Sequence, residues 1–192
     1  MRKVGFQMSL RLIDSYVAPF VSEEEIGYMQ PLVDAAHKML HEKSGQGNAF
    51  LGWLDLPRDY DPREVTSILN GMRSRFLCVR GNCDAEVDQM VLNFPITADS
   101  MMLYLDGRAA FVTHGHLFNT EQLPPLCPGD LLIHGHTHEK RFEAFGENNL
   151  YINPGSIALP KDDDKHSYMV YEDSVFVIRD AETGAVLKEY WL

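Results

Sequence analysis

The sequence predicts an α/β fold: a helical segment over residues 1–57, then a strand-rich region over 58–192. Three observations carry this. Before residue 57, Ile26, Met29, Val33, Ala36 and Leu40 fall on one helical face. After it, short apolar runs end in Gly81-Asn82-Cys83-Asp84, Thr113-His114-Gly115-His116 and Gly135-His136-Thr137-His138, as buried strands entering loops do. The tail alternates with the period of two that marks half-buried strands.

Taken in order, Ser22 and Glu25 have capping-box spacing and open the N-terminal helix. Pro31 lies inside the pattern and should kink or split it. Lys43 to Asn48 reads as a loop, and Ala49 to Leu56 is short, apolar and aromatic. Asp61 caps a second helix, with Pro62 at its first position and Glu64 closing the box. Val65, Ile68, Leu69 and Met72 form its apolar stripe. Phe76 to Val79 is a strand running into Gly81. Met101–Leu105 and Ala109–Val112 flank Asp106-Gly107, a strong hairpin signal. Leu131–Ile133 and Leu150–Ile152 are further strands, the second leading into Asn153-Pro154-Gly155-Ser156. Tyr168 to Tyr171, Val175 to Val177 and Val186 to Trp191 complete an antiparallel tail, with turns at 172–174 and 182–184.

The chain has 192 residues, 45% of them hydrophobic, enough to bury a core. A formal net charge of −11 argues against a nucleic-acid backbone as partner. Cys78, Cys83 and Cys127 are odd in number and form no spaced framework, which fits a reducing compartment. Gln7, Arg11 and Asp14 interrupt any export signal. No apolar run approaches the roughly 20 residues of a membrane span. The expectation is a cytoplasmic, soluble protein with no membrane partner.

Five of the eight histidines lie between residues 114 and 138. Imidazole binds divalent transition metals well, and Asn adds a neutral carbonyl oxygen. Glycine beside each candidate ligand lets the backbone approach closely. Two ions about 3.5–4 Å apart can hold a phosphoryl group and lower the pKa of a bridging water. Taken singly, His116, His134 and His166 read as structural or solvated. His37 and His41, four apart on the first helix, read as a polar face.

Residues 57 to about 180 resemble the calcineurin-like metallophosphoesterases, and among them the small bacterial YfcE-type phosphodiesterases. The resemblance rests on Arg80-Gly-Asn-Cys-Asp-Ala-Glu-Val-Asp-Gln-Met90, Thr113-His-Gly-His-Leu-Phe118, His134-Gly-His-Thr-His138 and Asn153-Pro-Gly-Ser-Ile157. It implies a sandwich of two mixed β-sheets flanked by helices. It also implies that Asn82, His114 and His136 bind one ion of a pair and His138 the other. Cys83 stands where the wider family has a His that assists the leaving group, so it is the candidate catalytic residue; a small buried residue is the other reading. The metal expected is Mn²⁺, two ions in the family and one or none here. The substrate expected is a small phosphodiester.

The family's opening Asp-x-His and Gly-Asp motifs are not recognisable before residue 57. Tyr16 stands where the His after Asp14 should be, and Asp55 falls after the position of the second motif. Residues 8 to about 57 resemble instead the N-terminus of bacterial glucose-6-phosphate isomerase, through Val21 to Glu42 and Phe50 to Pro57. The chain thus reads as a hybrid in which a helical segment replaces the first strands, the two parents meeting near residues 56–61. Two functions fit: a metal-dependent phosphodiesterase impaired by the missing carboxylates, or a non-catalytic hybrid with at most one weakly held ion. Loss of the first strands would also expose a sheet edge that a homo-oligomer could cover.

Overall fold

The computed structural model describes residues 4–6, 16–17, 62–75, 77–157, 159–161 and 165–192. The helix expected near residues 22–40, Asp14, Asp55 and the junction at 56–61 lie outside the described residues. In chain order the strands are β1 (Val4–Phe6), β2 (Tyr16–Val17), β3 (Leu77–Cys78), β4 (Ser100–Leu105), β5 (Arg108–Thr113), β6 (Leu131–Ile133), β7 (Lys140–Phe145), β8 (Asn149–Pro154), β9 (Ser167–Glu172), β10 (Val175–Asp180) and β11 (Val186–Trp191). The helices are α1 (Pro62–Gly71) and α2 (Glu86–Val91).

In α1, Val65 and Leu69 lie four apart and are both buried, which is why this stretch holds as an amphipathic helix. At the start of α2, the Asp88 carboxylate accepts the Ala85 N–H at 2.7 Å, satisfying a donor the helix leaves open.

Five strands form a mixed sheet in the order β4-β5-β6-β8-β7. The central pairs β5–β6 and β6–β8 are parallel, while the outer pairs are antiparallel. β6 and β8 are buried throughout and β5 from Ala110 to Thr113, as parallel strands covered on both faces must be. Asp106 and Gly107 both have positive φ, 46° and 82°, which is the tight hairpin turn joining β4 to β5. A second sheet has the order β1-β9-β10-β11 and is antiparallel throughout. The short turns joining β9, β10 and β11 leave no length for a parallel crossover. A two-stranded ribbon pairs β2 with β3.

The core lies between the two large sheets. Ala110, Val112, Leu131, Ile133, Leu150 and Ile152 face Met169, Tyr171, Phe176 and Ile178. The intervening residues Phe111, Leu132 and Tyr151 build a second cluster on the far face, with Phe118, Leu126 and Phe145. This is strand alternation expressed as two apolar layers. The Asp106 carboxylate accepts hydrogen bonds from the Tyr171 hydroxyl at 2.6 Å and from Ser174, tying the β4–β5 hairpin to the second sheet.

The fold agrees with the α/β sandwich expected. The tail strands β9–β11 are antiparallel, as read. Two details differ from the sequence reading. Strand β7 was not anticipated, because Lys140-Arg141-Phe142-Glu143 carries charge where a strand pattern would be apolar. Short strands β1 and β2 lie within the first 57 residues, where only helix and loop were read. Among the described residues no helix is long and apolar enough to cross a membrane.

Candidate metal centre

Parallel pairing decides where the site forms. Ala110 pairs with Leu131 and Val112 with Ile133, so β5 and β6 end side by side. The β6–β8 register brings the end of β8 to the same edge. Loops after parallel strands then converge, as ligand sites in such sheets do. The backbone continues the alignment past the strands: Gly135 N–H donates to His114 O at 3.0 Å, and His134 N–H to Ile152 O at 3.1 Å.

The third loop follows β3. Gly81 N–H donates to the Asp84 carboxylate at 2.7 Å, and Asp84 N–H to Gly81 O at 3.3 Å. This closed turn buries Gly81 and Asp84 and leaves Asn82 and Cys83 exposed at its tip. Arg80 braces it from outside, donating to Asp84 O at 3.3 Å and to Glu86 at 3.0 Å.

Three donor atoms meet at this edge. Asn82 Oδ1 is 2.8 Å from His114 Nε2, and His136 Nδ1 is 3.2 Å from the same nitrogen. If His114 Nε2–H donates to Asn82, His136 Nδ1 turns a lone pair toward the same proton. Three electron-rich atoms then share one hydrogen, an arrangement a divalent cation satisfies better than a proton does. The spacing agrees: metal–nitrogen bonds of about 2.1 Å at right angles set neighbouring donors about 3 Å apart. The residues present fit a divalent ion, with Asn82 as the third donor. No group of three or more His, Cys, Asp or Glu among the described residues could hold one.

The other expected residues are placed as follows. His138 Nδ1 donates to Leu159 O at 2.8 Å, which fixes the lone pair of the neutral ring on Nε2. Cys83 is exposed beside Asn82, which excludes the small-buried-residue reading. His136 and His138 both sit at φ 62°, a left-handed conformation uncommon for non-glycine residues, and the strain is held at the site by the surrounding loop. That loop rests on buried Asn153. Its amide nitrogen lies 3.0 Å from Gly135 O, 2.9 Å from Thr137 Oγ1 and 2.9 Å from the Tyr151 hydroxyl, which share its two hydrogens, and its oxygen accepts Gly155 N–H at 2.9 Å.

His116 and His134, read singly as structural or solvated, both lie at this edge. His116 lies 5.3 Å from His114 and 6.4 Å from His136 between ring centroids. His134 is buried and stacks on Tyr151 at 4.4 Å. The spacing His-x-His in both loops was the available signal; its convergence was not.

Burial pushes the His134 imidazole down to about 4, against a hydrogen bond to the Gly135 carbonyl that favours the charged form and with repulsion from His136 adding to the fall. The unfolded chain therefore binds more protons between the ordinary value near 6.5 and pH 4. Stability rises with pH across that window, so acid removes it, by up to about 3 kcal/mol once below pH 4. Urea unfolding at pH 7 and pH 4.5 should show most of this loss in the wild type and much less in His134→Phe. Parallel pH dependence in the two proteins would refute the assignment.

Comparison with known proteins bears on this geometry. Residues 59–174 match the calcineurin-like phosphoesterase superfamily domain. The phosphodiesterase YfcE of Escherichia coli K12 is 44% identical over 123 residues, covering 64% of this chain and 66% of that enzyme, just short of two thirds of its length. The solved structure of YfcE, a phosphoesterase from E. coli, superposes with a TM-score of 0.73 at 31% identity, covering 98% of each chain. A different relative also matches. Glucose-6-phosphate isomerase of Shouchella clausii is 61% identical over 49 residues, which is 26% of this chain and 11% of that enzyme.

Proposed function

Because this chain belongs to the calcineurin-like phosphoesterase superfamily, we propose that it is a metal-dependent phosphodiesterase whose described ligand set is one half of a two-ion site. The observation that carries this reading is the approach of Asn82 Oδ1 and His136 Nδ1 to His114 Nε2, at 2.8 and 3.2 Å. Asn82, His114 and His136 would hold one divalent ion, Mn²⁺ in our reading, and His138 would offer Nε2 to a second. Such an ion supplies Lewis-acid polarisation of a phosphoryl group and acidifies water. Asn82 and the neutral imidazoles bring no negative charge to balance two cations, so the carboxylates absent from the N-terminal motifs matter. We therefore propose slow hydrolysis of small phosphodiesters.

The Cys83 thiol, exposed at the tip of the turn beside Asn82, is placed in this reading against the ester leaving group. The isomerase-like segment is read as foreign sequence that brings no isomerase chemistry. A cytoplasmic location and a homo-oligomeric state belong to the same proposal. A second reading, a non-catalytic hybrid with one weak ion, is favoured by the reliance on Asn82 as the third donor.

Metal content by mass spectrometry, with Mn²⁺-dependent release of p-nitrophenol from bis-p-nitrophenyl phosphate, separates these. One ion per chain with slow, chelator-sensitive release is expected. Two ions with fast turnover would overturn the impairment; one ion with no turnover would favour the hybrid; no ion would sink both. Cys83→Ala should lower turnover about tenfold or more without changing metal content, in line with acid–base or leaving-group assistance. Unchanged turnover would remove Cys83 from the site.

A further inference from the structure

The half-buried imidazole of His116 stands inside the donor cluster without taking part in it. Gly115 at φ 119° turns the chain back after His114, and this returns the His116 ring to the same edge. Its ring lies 5.3 Å from His114 and 6.4 Å from His136. Its Nδ1 is buried and meets no hydrogen-bond partner among the described residues. Leaving a buried polar atom unsatisfied costs stability. A nitrogen without an acceptor nearby loses least by carrying the lone pair, so the proton of the neutral ring belongs on Nε2. The ring as a whole is only partly buried.

The geometry points to His116 as a substrate-contacting residue: Nε2–H donates a hydrogen bond to a phosphoryl oxygen of the ester held beside Asn82, His114 and His136. This rests on the phosphoesterase reading and adds a residue that carries none of the metal. Donor and acceptor match in kind, since a phosphodiester anion offers acceptors only and Nε2–H is a donor. Of the neighbouring imidazoles, His114 Nε2 faces Asn82 Oδ1 and His136 Nδ1, and His138 Nδ1 is engaged by Leu159 O. The role is recognition of the tetrahedral phosphoryl group, so inorganic phosphate, which carries the same oxygens, is a sufficient probe.

The test uses the full chain as wild type, His116→Ala and His116→Asn. Mn²⁺ binding is measured by isothermal titration, then binding of inorganic phosphate to the Mn²⁺-loaded proteins. Mn²⁺ affinity should agree within about twofold across all three. Phosphate affinity should fall about tenfold in His116→Ala, the loss of one hydrogen bond to a charged group. His116→Asn, which restores an N–H donor, should recover part of it. Where turnover is measurable, KM for the diester should rise more than kcat falls. Lost Mn²⁺ binding in His116→Ala would make His116 a ligand and overturn the proposal. Unchanged phosphate affinity would overturn it while leaving the phosphoesterase reading intact. Wild-type protein that binds neither Mn²⁺ nor phosphate would bring down both.

Discussion

On the proposed reading, His136→Ala should abolish Mn²⁺ binding at this site, and with it any phosphodiester hydrolysis. The expected loss of affinity exceeds roughly 100-fold, because outer partners of metal ligands are already worth 10–100-fold and this change removes a ligand itself. Only Asn82 Oδ1 and His114 Nε2, 2.8 Å apart, would remain of the set. Two neutral donors can be satisfied by a single hydrogen bond, so the reason to recruit a cation disappears. The fold should survive, since His136 is exposed and carries no buried packing; at its φ of 62° alanine adds only a small backbone cost. Near-unchanged thermal unfolding without metal, with Mn²⁺-induced stabilisation lost, is the expected pair of results. Mn²⁺ affinity equal to wild type would mean that the close approach of the three atoms is only hydrogen bonding.

Gly115→Ala should disable the same site by a different route. A Cβ at this position would lie 2.6 Å from His134 Nδ1 and 2.9 Å from His136 Cβ, at a backbone φ of 119°. His134 cannot retreat, since its ring is buried and stacked on Tyr151 at 4.4 Å. His136 Cβ is fixed by its own main chain. Backbone strain and the clash together should cost about 3 kcal/mol or more. Gly184→Ala is the control. Its φ of 71° is also left-handed, but nothing lies within 4 Å of the added carbon. That variant should lose only about 1 kcal/mol, the conformational part alone. Urea midpoints measure both. If the two variants lose equal stability, the crowding between the β5 and β6 loops is not what holds Gly115.

Much of the β framework was legible from residue pattern. The Asp106-Gly107 signal became the β4–β5 hairpin, and the alternating tail became β9 to β11. Val65 and Leu69 became the buried stripe of α1. Local chemistry was enough there because turns and periodicity act over a few residues. Strand β7 was hidden for the opposite reason. Lys140 is fully buried, and Lys165 O, far along the chain, accepts from its Nζ at 3.2 Å. No local rule anticipates a charged side chain whose partner comes from another segment.

The candidate ligands were likewise named from motifs, yet their roles were not all visible. His116 and His134 read singly as ordinary polar residues, because a lone imidazole carries no information about its neighbours. Their place depends on the turn at Gly115 and on stacking against Tyr151, both set by contacts between strands distant in sequence.

The amino-acid order by itself determined the kinds of donor, the loops that carry them and the absence of recognisable acidic motifs ahead of residue 57. Only the tertiary structure decided which donors meet. Hydrogen-bond register aligns β5 with β6 and β6 with β8, residue by residue, and so sets the loops of His114 and His136 on one edge, where the loop after β3 brings Asn82. A shift of one residue would turn every side chain to the other face and scatter the cluster. Register is a property of paired strands, and no strand carries it alone.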